Sequence, residues 1–127
     1  MSAIHWFEIG VSDIQRAIQF YETVMNTKLQ YADLREQMGS QLGMFPARDG
    51  AGGTLVQNEQ HGYQPGQAGT LIYLVVDGDL NEAVARVDGA GGQVVLPKTP
   101  LGSDQEAGFI SWIIDTEGNK VGLYSKV

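Results

Sequence analysis

A chain of 127 residues, 43% of them apolar, is long enough for one domain with its own core, and the absence of cysteine excludes disulfides, thiolate chemistry and cysteine-ligated zinc. A formal net charge of −7 with 8 Lys and Arg offers no basic stripe to a phosphate backbone, which excludes general nucleic-acid binding. The apolar runs are far too short to cross a bilayer and no signal peptide precedes Ile4, so the expectation is no membrane partner and a cytoplasmic location.

The first stretch, I-H-W-F-E-I-G-V-S-D-I-Q-R-A-I-Q-F-Y-E-T-V-M over residues 4–25, reads as a strand, an Asp-initiated turn and an amphipathic helix. Side chains alternate along a strand, so His5, Phe7, Ile9 and Val11 share one face while Trp6, Glu8 and Gly10 share the other. Ser12 or Asp13 can cap the helix, whose apolar stripe is Ile14, Ala17, Ile18, Tyr21, Val24 and Met25. The apolar strand face belongs against this stripe, which leaves Trp6 and Glu8 turned toward whatever the sheet encloses. A carboxylate between Phe7 and Ile9 is costly unless hydrated, hydrogen-bonded or paired, and Glu8 is therefore the first candidate anchor or general base. His5 has the wrong parity to join it.

Residues 28–35 and 39–46 then read as short strands, the second closed by Pro46. A glycine-rich turn, with Arg48 and Asp49 as solvated loop charges, leads to a strand over 54–57. Residues 58–69 have no periodicity and form a linker from which His61 and Tyr63 could reach a ligand, although a solvent-exposed His and a Tyr that packs the loop down explain them better. A second unit follows: a strand over 70–76, Asp77 and Asp79 as turn or cap residues, and a helix with the stripe Leu80, Ala83, Val84 and Val87, stopped by D-G-A-G-G. A strand over 93–96 ends at Pro97, residues 99–108 read as flexible, and strands over 109–114 and 120–124 flank the tight turn D-T-E-G-N.

The pattern is βαβββ twice. An internal repeat outweighs any single motif in deciding a fold. The expectation is one α+β domain in which two βαβββ modules, about 1–58 and 70–127 with a linker at about 58–69, form a cupped mixed β-sheet groove with the helices packed outside. By parity, Tyr73 and Tyr124 line the second module's inner face, while Phe109 and Trp112 lie on opposite faces of their strand.

On these residues the chain resembles the vicinal oxygen chelate superfamily, the group of glyoxalases, bleomycin-resistance proteins and extradiol dioxygenases. The resemblance is carried by V-S-D-I-Q-R-A-I-Q-F-Y, by V-D-G-D-L-N-E-A-V with A-G-G, and by the terminal D-T-E-G-N-K-V-G-L. It implies a cupped site, usually completed by a homodimer, and in the metal-dependent members four ligands that hold a divalent metal. Here the corresponding places fall at Trp6, near Leu71, around Leu55 with Gln57 as the polar alternative, and at Gly122. None is a good ligand, so the expectation is no metal residue and no resident cofactor.

The reading is a small-molecule binding protein of the glyoxalase and bleomycin-resistance type. Its partner is a small organic molecule held by Trp6, Glu8, Gln57, Tyr73 and Tyr124. Two enzymatic alternatives stand beside it: a metal-dependent lyase or dioxygenase of the lactoylglutathione-lyase kind, and a metal-independent lyase or isomerase with Glu8 as the catalytic residue. A structural or regulatory protein would instead fill its groove with its own side chains.

Overall fold

The computed structural model describes residues 3–103 and 105–127. The first module consists of β1 (Trp6–Gly10), α1 (Ile14–Met25), β2 (Gln30–Leu34), a single-turn α2 (Arg35–Met38), β3 (Ser40–Met44) and β4 (Gly52–Gln57). The second consists of β5 (Tyr73–Val75), α3 (Leu80–Val87), β6 (Gln93–Pro100), β7 (Phe109–Ile114) and β8 (Lys120–Ser125). Each module builds a four-stranded mixed sheet, in the order β1-β4-β3-β2 and β5-β8-β7-β6. In both, the first strand lies parallel to the last and the remaining pairs are antiparallel. The α+β architecture of two βαβββ modules is the one the repeat predicts.

Both helices start where the sequence places their caps. The Asp13 carboxylate accepts from the Arg16 amide at 3.1 Å and that of Asp79 from the Asn81 amide at 2.9 Å. Helix α1 buries Ile14, Ala17, Ile18, Phe20, Tyr21 and Val24, and α3 buries Leu80, Ala83 and Val87. These residues join Ile9, Val11, Leu55, Leu74, Ile113, Val121 and Leu123 in one core cluster that spans both modules. The two helices also touch directly, and the Arg86 guanidinium of α3 donates to the Val24 and Thr23 carbonyls at the end of α1. Those carbonyls have no partner inside their own helix.

Several expected boundaries shift. Strand β6 runs on to Pro100 instead of stopping at Pro97, with register shifts between Val94 and Leu96 and between Leu96 and Thr99. It is an edge strand, where a missing N–H and a bulge cost little. Strand β5 begins at Tyr73 rather than at 70, and the linker contains a 3₁₀ turn at Glu59–His61. Arg48 is no free loop charge: it donates to Asp77 of the second module at 2.9 Å.

The largest departure from expectation concerns D-T-E-G-N, which is more than a hairpin turn. Asp115, buried, accepts from the Tyr21 hydroxyl at 2.6 Å and from the Glu117 and Asn119 amides at 2.8 and 2.9 Å. The Glu117 carboxylate accepts from the Ser12 and Asp13 amides at 3.0 and 2.9 Å and from Arg16 at 2.7 and 2.9 Å. Asn119 donates to the Gly10 carbonyl at 2.8 Å. One turn of the second module therefore caps the start of the first module's helix.

This arrangement makes stability acid-sensitive through Glu117. Burial opposes its charge, but the hydrogen bonds from Arg16, Asp13, Thr116 and Ser12 outweigh burial and hold its pKa below the ordinary value of 4.5. A lowered folded-state pKa contributes stability that is present above the unfolded value and lost as pH falls through the folded one. Urea midpoints measured from neutral pH downward should therefore show the gap between the wild type and Glu117→Gln closing below about pH 4.5. A gap that stays constant down to the acid limit would mean that Glu117 is not the titrating group.

Candidate functional site

The parallel register of β1 on β4 pairs Glu8 with Thr54 and Gly10 with Val56. Trp6 and Glu8 thus share a sheet face with Thr54 and Val56, while Leu55 and Gln57 turn toward α1. In the second sheet Tyr73 and Trp112 both pair with Gly122, and Ile110 and Val75 pair with Tyr124. Tyr73, Trp112, Lys120, Gly122 and Tyr124 accordingly share the face opposite the helices. These two faces are the inner, groove sides. They are open in part: Trp6 is 45% exposed, Tyr73 42% and Val75 45%, whereas Thr54 and Val56 are buried.

The second sheet carries a connected aromatic surface. Trp112 Nε1 donates to the Tyr73 hydroxyl at 2.8 Å, and the Lys120 ammonium sits 4.3 Å from the centre of the Trp112 ring. The Tyr73 ring lies over Gly122 so closely that a Cβ there would meet it at 2.3 Å. The glycine is what permits the ring to lie flat on the strand. Tyr124 is tied back through its hydroxyl to the Ala107 carbonyl at 3.1 Å.

Between the modules lies a cavity of ≈ 390 Å³. Its walls are Glu8 and Gly10 of β1, the linker from Gln64 to Ala68, Ile72, and Lys120 at the start of β8. The linker is held against it at three points. Tyr63 donates to Glu8 Oε1 at 2.6 Å, the Gly66 amide donates to Asn119 Oδ1 at 2.9 Å, and Gly66 accepts from the Lys120 amide. The hydrogen bond to Glu8, together with partial burial and the carboxylate charge, raises the Tyr63 pKa above its ordinary 10.0. Tyr63 is the residue that sequence reasoning undervalued: it packs the loop down, but through the candidate carboxylate itself.

The predicted residues are only partly brought together. Glu8 lines the cavity, whereas Trp6, Tyr73 and Tyr124 stand on the open groove faces beside it. Gln57 stands apart from them and lines a second cavity of ≈ 440 Å³ with Asn58 and Tyr63. Its Oε1 accepts from the Ile14 amide at 2.8 Å, which makes it a second cap of α1 on the far side of β4. Sequence parity with Leu55 was the available sign. Trp112 and Lys120 are the residues missed, because a lysine beside a turn reads as solvated until the tryptophan beneath it is seen.

Of the four places where the resemblance puts metal ligands, Leu55 is fully buried in the core and Gly122 is covered by Tyr73. Trp6 and Leu71 offer no donor. Among the described residues no three His, Asp or Glu side chains converge as a metal would require. The donor set does not fit a divalent metal.

The family model for the Glyoxalase/Bleomycin resistance protein/Dioxygenase superfamily matches residues 3–123. Solved structures with the same fold include glyoxalase I from Zea mays, at 22% identity and a TM-score of 0.63, with 95% of this chain and 44% of that one covered. A glyoxalase/bleomycin resistance protein from Albidiferax ferrireducens T118 aligns at 16% identity and a TM-score of 0.69, with 98% of each chain covered. The fosfomycin resistance protein FosX from Listeria monocytogenes aligns at 13% identity and a TM-score of 0.65, covering 98% of this chain and 93% of that one. The chain spans less than half the length of the maize protein. No protein of curated function matches it significantly. At these identities the likeness is one of fold.

Proposed function

This chain belongs to the Glyoxalase/Bleomycin resistance protein/Dioxygenase superfamily, and from that premise we propose that it is a small-molecule binding protein of the glyoxalase and bleomycin-resistance type without the family's metal centre. The observation that carries the reading is the cavity between the modules, which opens beside two groove faces bearing exposed Trp6 and Tyr73 and half-buried Trp112. An apolar, aromatic surface with a few placed polar groups is what a small organic ligand needs. The donor set supports metal independence: the four family positions supply an indole, two aliphatic side chains and a glycine. A homodimer is part of the proposal. The exposed apolar residues on the groove faces gain most from a second copy that covers them around a ligand. Solution in the cytoplasm fits the same reading, and no helix among the described residues is long and apolar enough to cross a membrane.

A second reading is favoured by one observation, the 2.6 Å hydrogen bond from Tyr63 to Glu8. That bond fixes one carboxylate oxygen and leaves the other for a substrate proton, as a lyase or isomerase base requires.

Native mass spectrometry of untagged protein purified without chelator, followed by the same measurement after denaturation, tests the proposal. The expected result is a dimer free of transition metal that releases, or can be loaded with, an organic molecule. Both tryptophans of the chain stand on the groove faces, so ligand addition should change their emission, and Trp6→Phe and Trp112→Phe should divide the change between the two sheets. Stoichiometric metal released on denaturation would overturn the metal-independent reading. A turnover lost in Glu8→Gln would favour the enzymatic one.

A further inference from the structure

The cavity between the modules is lined by one anionic and one cationic residue that form no ion pair with each other. The ion pairs among the described residues are Arg16–Glu117, Arg35–Asp33, Arg48–Asp77 and Lys98–Asp79. Glu8 and Lys120 line the same cavity outside that set. Each keeps unused capacity. Glu8 gives Oε1 to Tyr63, and its Oε2 has no partner among the described residues. The Lys120 ammonium has three donors and rests on the face of Trp112 with no carboxylate beside it among the described residues.

The backbone adds to this arrangement. The Val11 amide donates to the Val56 carbonyl, and the His5 carbonyl accepts from the Gly52 amide. The odd-numbered residues of β1 are therefore the ones bonded to β4. In a parallel pair the alternate residues point the other way, so the N–H and C=O of Glu8 face the open edge where the cavity lies. The Gly10 carbonyl points the same way and is taken by Asn119. The Glu8 end thus offers two kinds of acceptor, a side-chain oxygen and a main-chain carbonyl at the strand edge. Ile72 and Val121 supply apolar wall between this end and Lys120. The side chain of Asn119 is bonded at both ends, its Oδ1 to the Gly66 amide and its Nδ2 to Gly10 and Asp115, so it frames the cavity.

We infer that the ligand class of this cavity is a small zwitterion with an ammonium or amidine group at one end and a carboxylate or similar anion at the other, joined by a short apolar spacer. The cationic end meets Glu8 and the anionic end meets Lys120. A simple amine would face the repulsion of Lys120, and a simple carboxylate that of Glu8, in a chain whose net charge is already −7. Only a molecule bearing both charges satisfies both residues. The inference rests on the proposed binding function and specifies its ligand.

The test uses the full chain and a set of defined probes: β-alanine, γ-aminobutyrate and ε-aminocaproate as zwitterions of increasing span, with butylamine and butyrate as single-charge controls and benzamide as a neutral aromatic probe. Binding is read by amide chemical-shift changes at Gly10, Gly66 and Thr70 and by titration calorimetry. One zwitterion should bind about tenfold more tightly than either single-charge control, the increment of one charge-assisted hydrogen bond. Glu8→Gln should reduce that zwitterion to the affinity of butyrate, and Lys120→Met to that of butylamine. The Glu8 contact is exposed, so Glu8→Gln should keep the wild-type melting temperature, and Lys120→Met keeps an unbranched apolar stem on Trp112, so a melting curve for each variant separates loss of binding from loss of fold. Equal affinity for butylamine and the zwitterions, or variants that bind the zwitterions like wild type, would overturn the ligand class. Benzamide binding at the groove tryptophans together with that failure would leave small-molecule binding standing. Silence from every probe would count against both.

Discussion

Asp115→Ala is expected to cost roughly 3–5 kcal/mol of folding stability, the range for removing one partner from a buried charged network. The reason is what it leaves behind. The Tyr21 hydroxyl, fully buried, donates only to Asp115, and the Glu117 and Asn119 amides lose their acceptor at the same time. A buried donor without a partner costs about 1–3 kcal/mol, and with the Asn119 side-chain amide, which also donates to Asp115, four donors lose this acceptor in one substitution. The effect should propagate. The turn that loses its shape also presents Glu117 to the Ser12 and Asp13 amides and Asn119 to Gly10. Tyr21→Phe makes the comparison sharp, because it removes one hydrogen bond, keeps the ring packed and leaves Asp115 its two backbone donors. Its cost should be about 1–1.5 kcal/mol. Urea unfolding with an unchanged m-value measures both. An Asp115→Ala loss no larger than that of Tyr21→Phe would show that the two modules do not depend on the turn as a clamp.

Gly92→Ala should destabilise by about 1–3 kcal/mol or more, the usual range for overpacking a filled core. An added Cβ would meet the Ile114 carbonyl oxygen at 2.6 Å and the Phe20 ring at 2.6 and 2.8 Å. Phe20 is 1% exposed, and its ring packs edge-on to Tyr21 at 5.0 Å, so it cannot swing aside freely. The carbonyl belongs to the last residue of β7 and moves only with the strand. Adding Phe20→Leu should recover part of the loss by opening the ring side of the clash, while the carbonyl contact remains. Gly92→Ala at wild-type stability, by thermal and urea unfolding together, would show that α1 and the second sheet can separate there at no cost. The same measurement on Gly89→Ala, with no atom within 4 Å of the added Cβ, provides the control.

These two glycine and aspartate positions show why some features were readable and others were not. D-G-A-G-G announces a helix end from composition, and α3 does end there at Val87. That Gly92 is also the point where Phe20 of the other module crosses depends on contacts with a residue seventy-two places earlier, which no local pattern contains. D-T-E-G-N likewise announces a turn. Its carboxylates look like turn chemistry because Asp and Asn so often bond their own backbone, and Asp115 does so here. The bonds from Tyr21, Ser12, Asp13 and Arg16 come from about a hundred residues away. At the site, parity placed Trp6, Glu8, Tyr73 and Tyr124 on the groove faces correctly, since alternation is a property of the strand alone. Gln57, named as the polar alternative beside Leu55, shares the parity of Leu55 and caps α1 through its side chain, a contact no local pattern contains.

What the chain determined by itself was therefore everything governed by short-range periodicity: two βαβββ modules, the capped amphipathic helices, the face of each strand that packs and the face that stays open. Tertiary structure alone decided which residues from the two modules meet. It turned a hairpin turn into a clamp on α1, laid the linker across Glu8 through Tyr63, set Lys120 on Trp112 and brought Glu8 and Lys120 to the wall of one cavity. The physical reason is that local sequence fixes dihedrals and side-chain direction residue by residue, whereas a cavity is defined by the distance between surfaces that only packing of the shared core brings together.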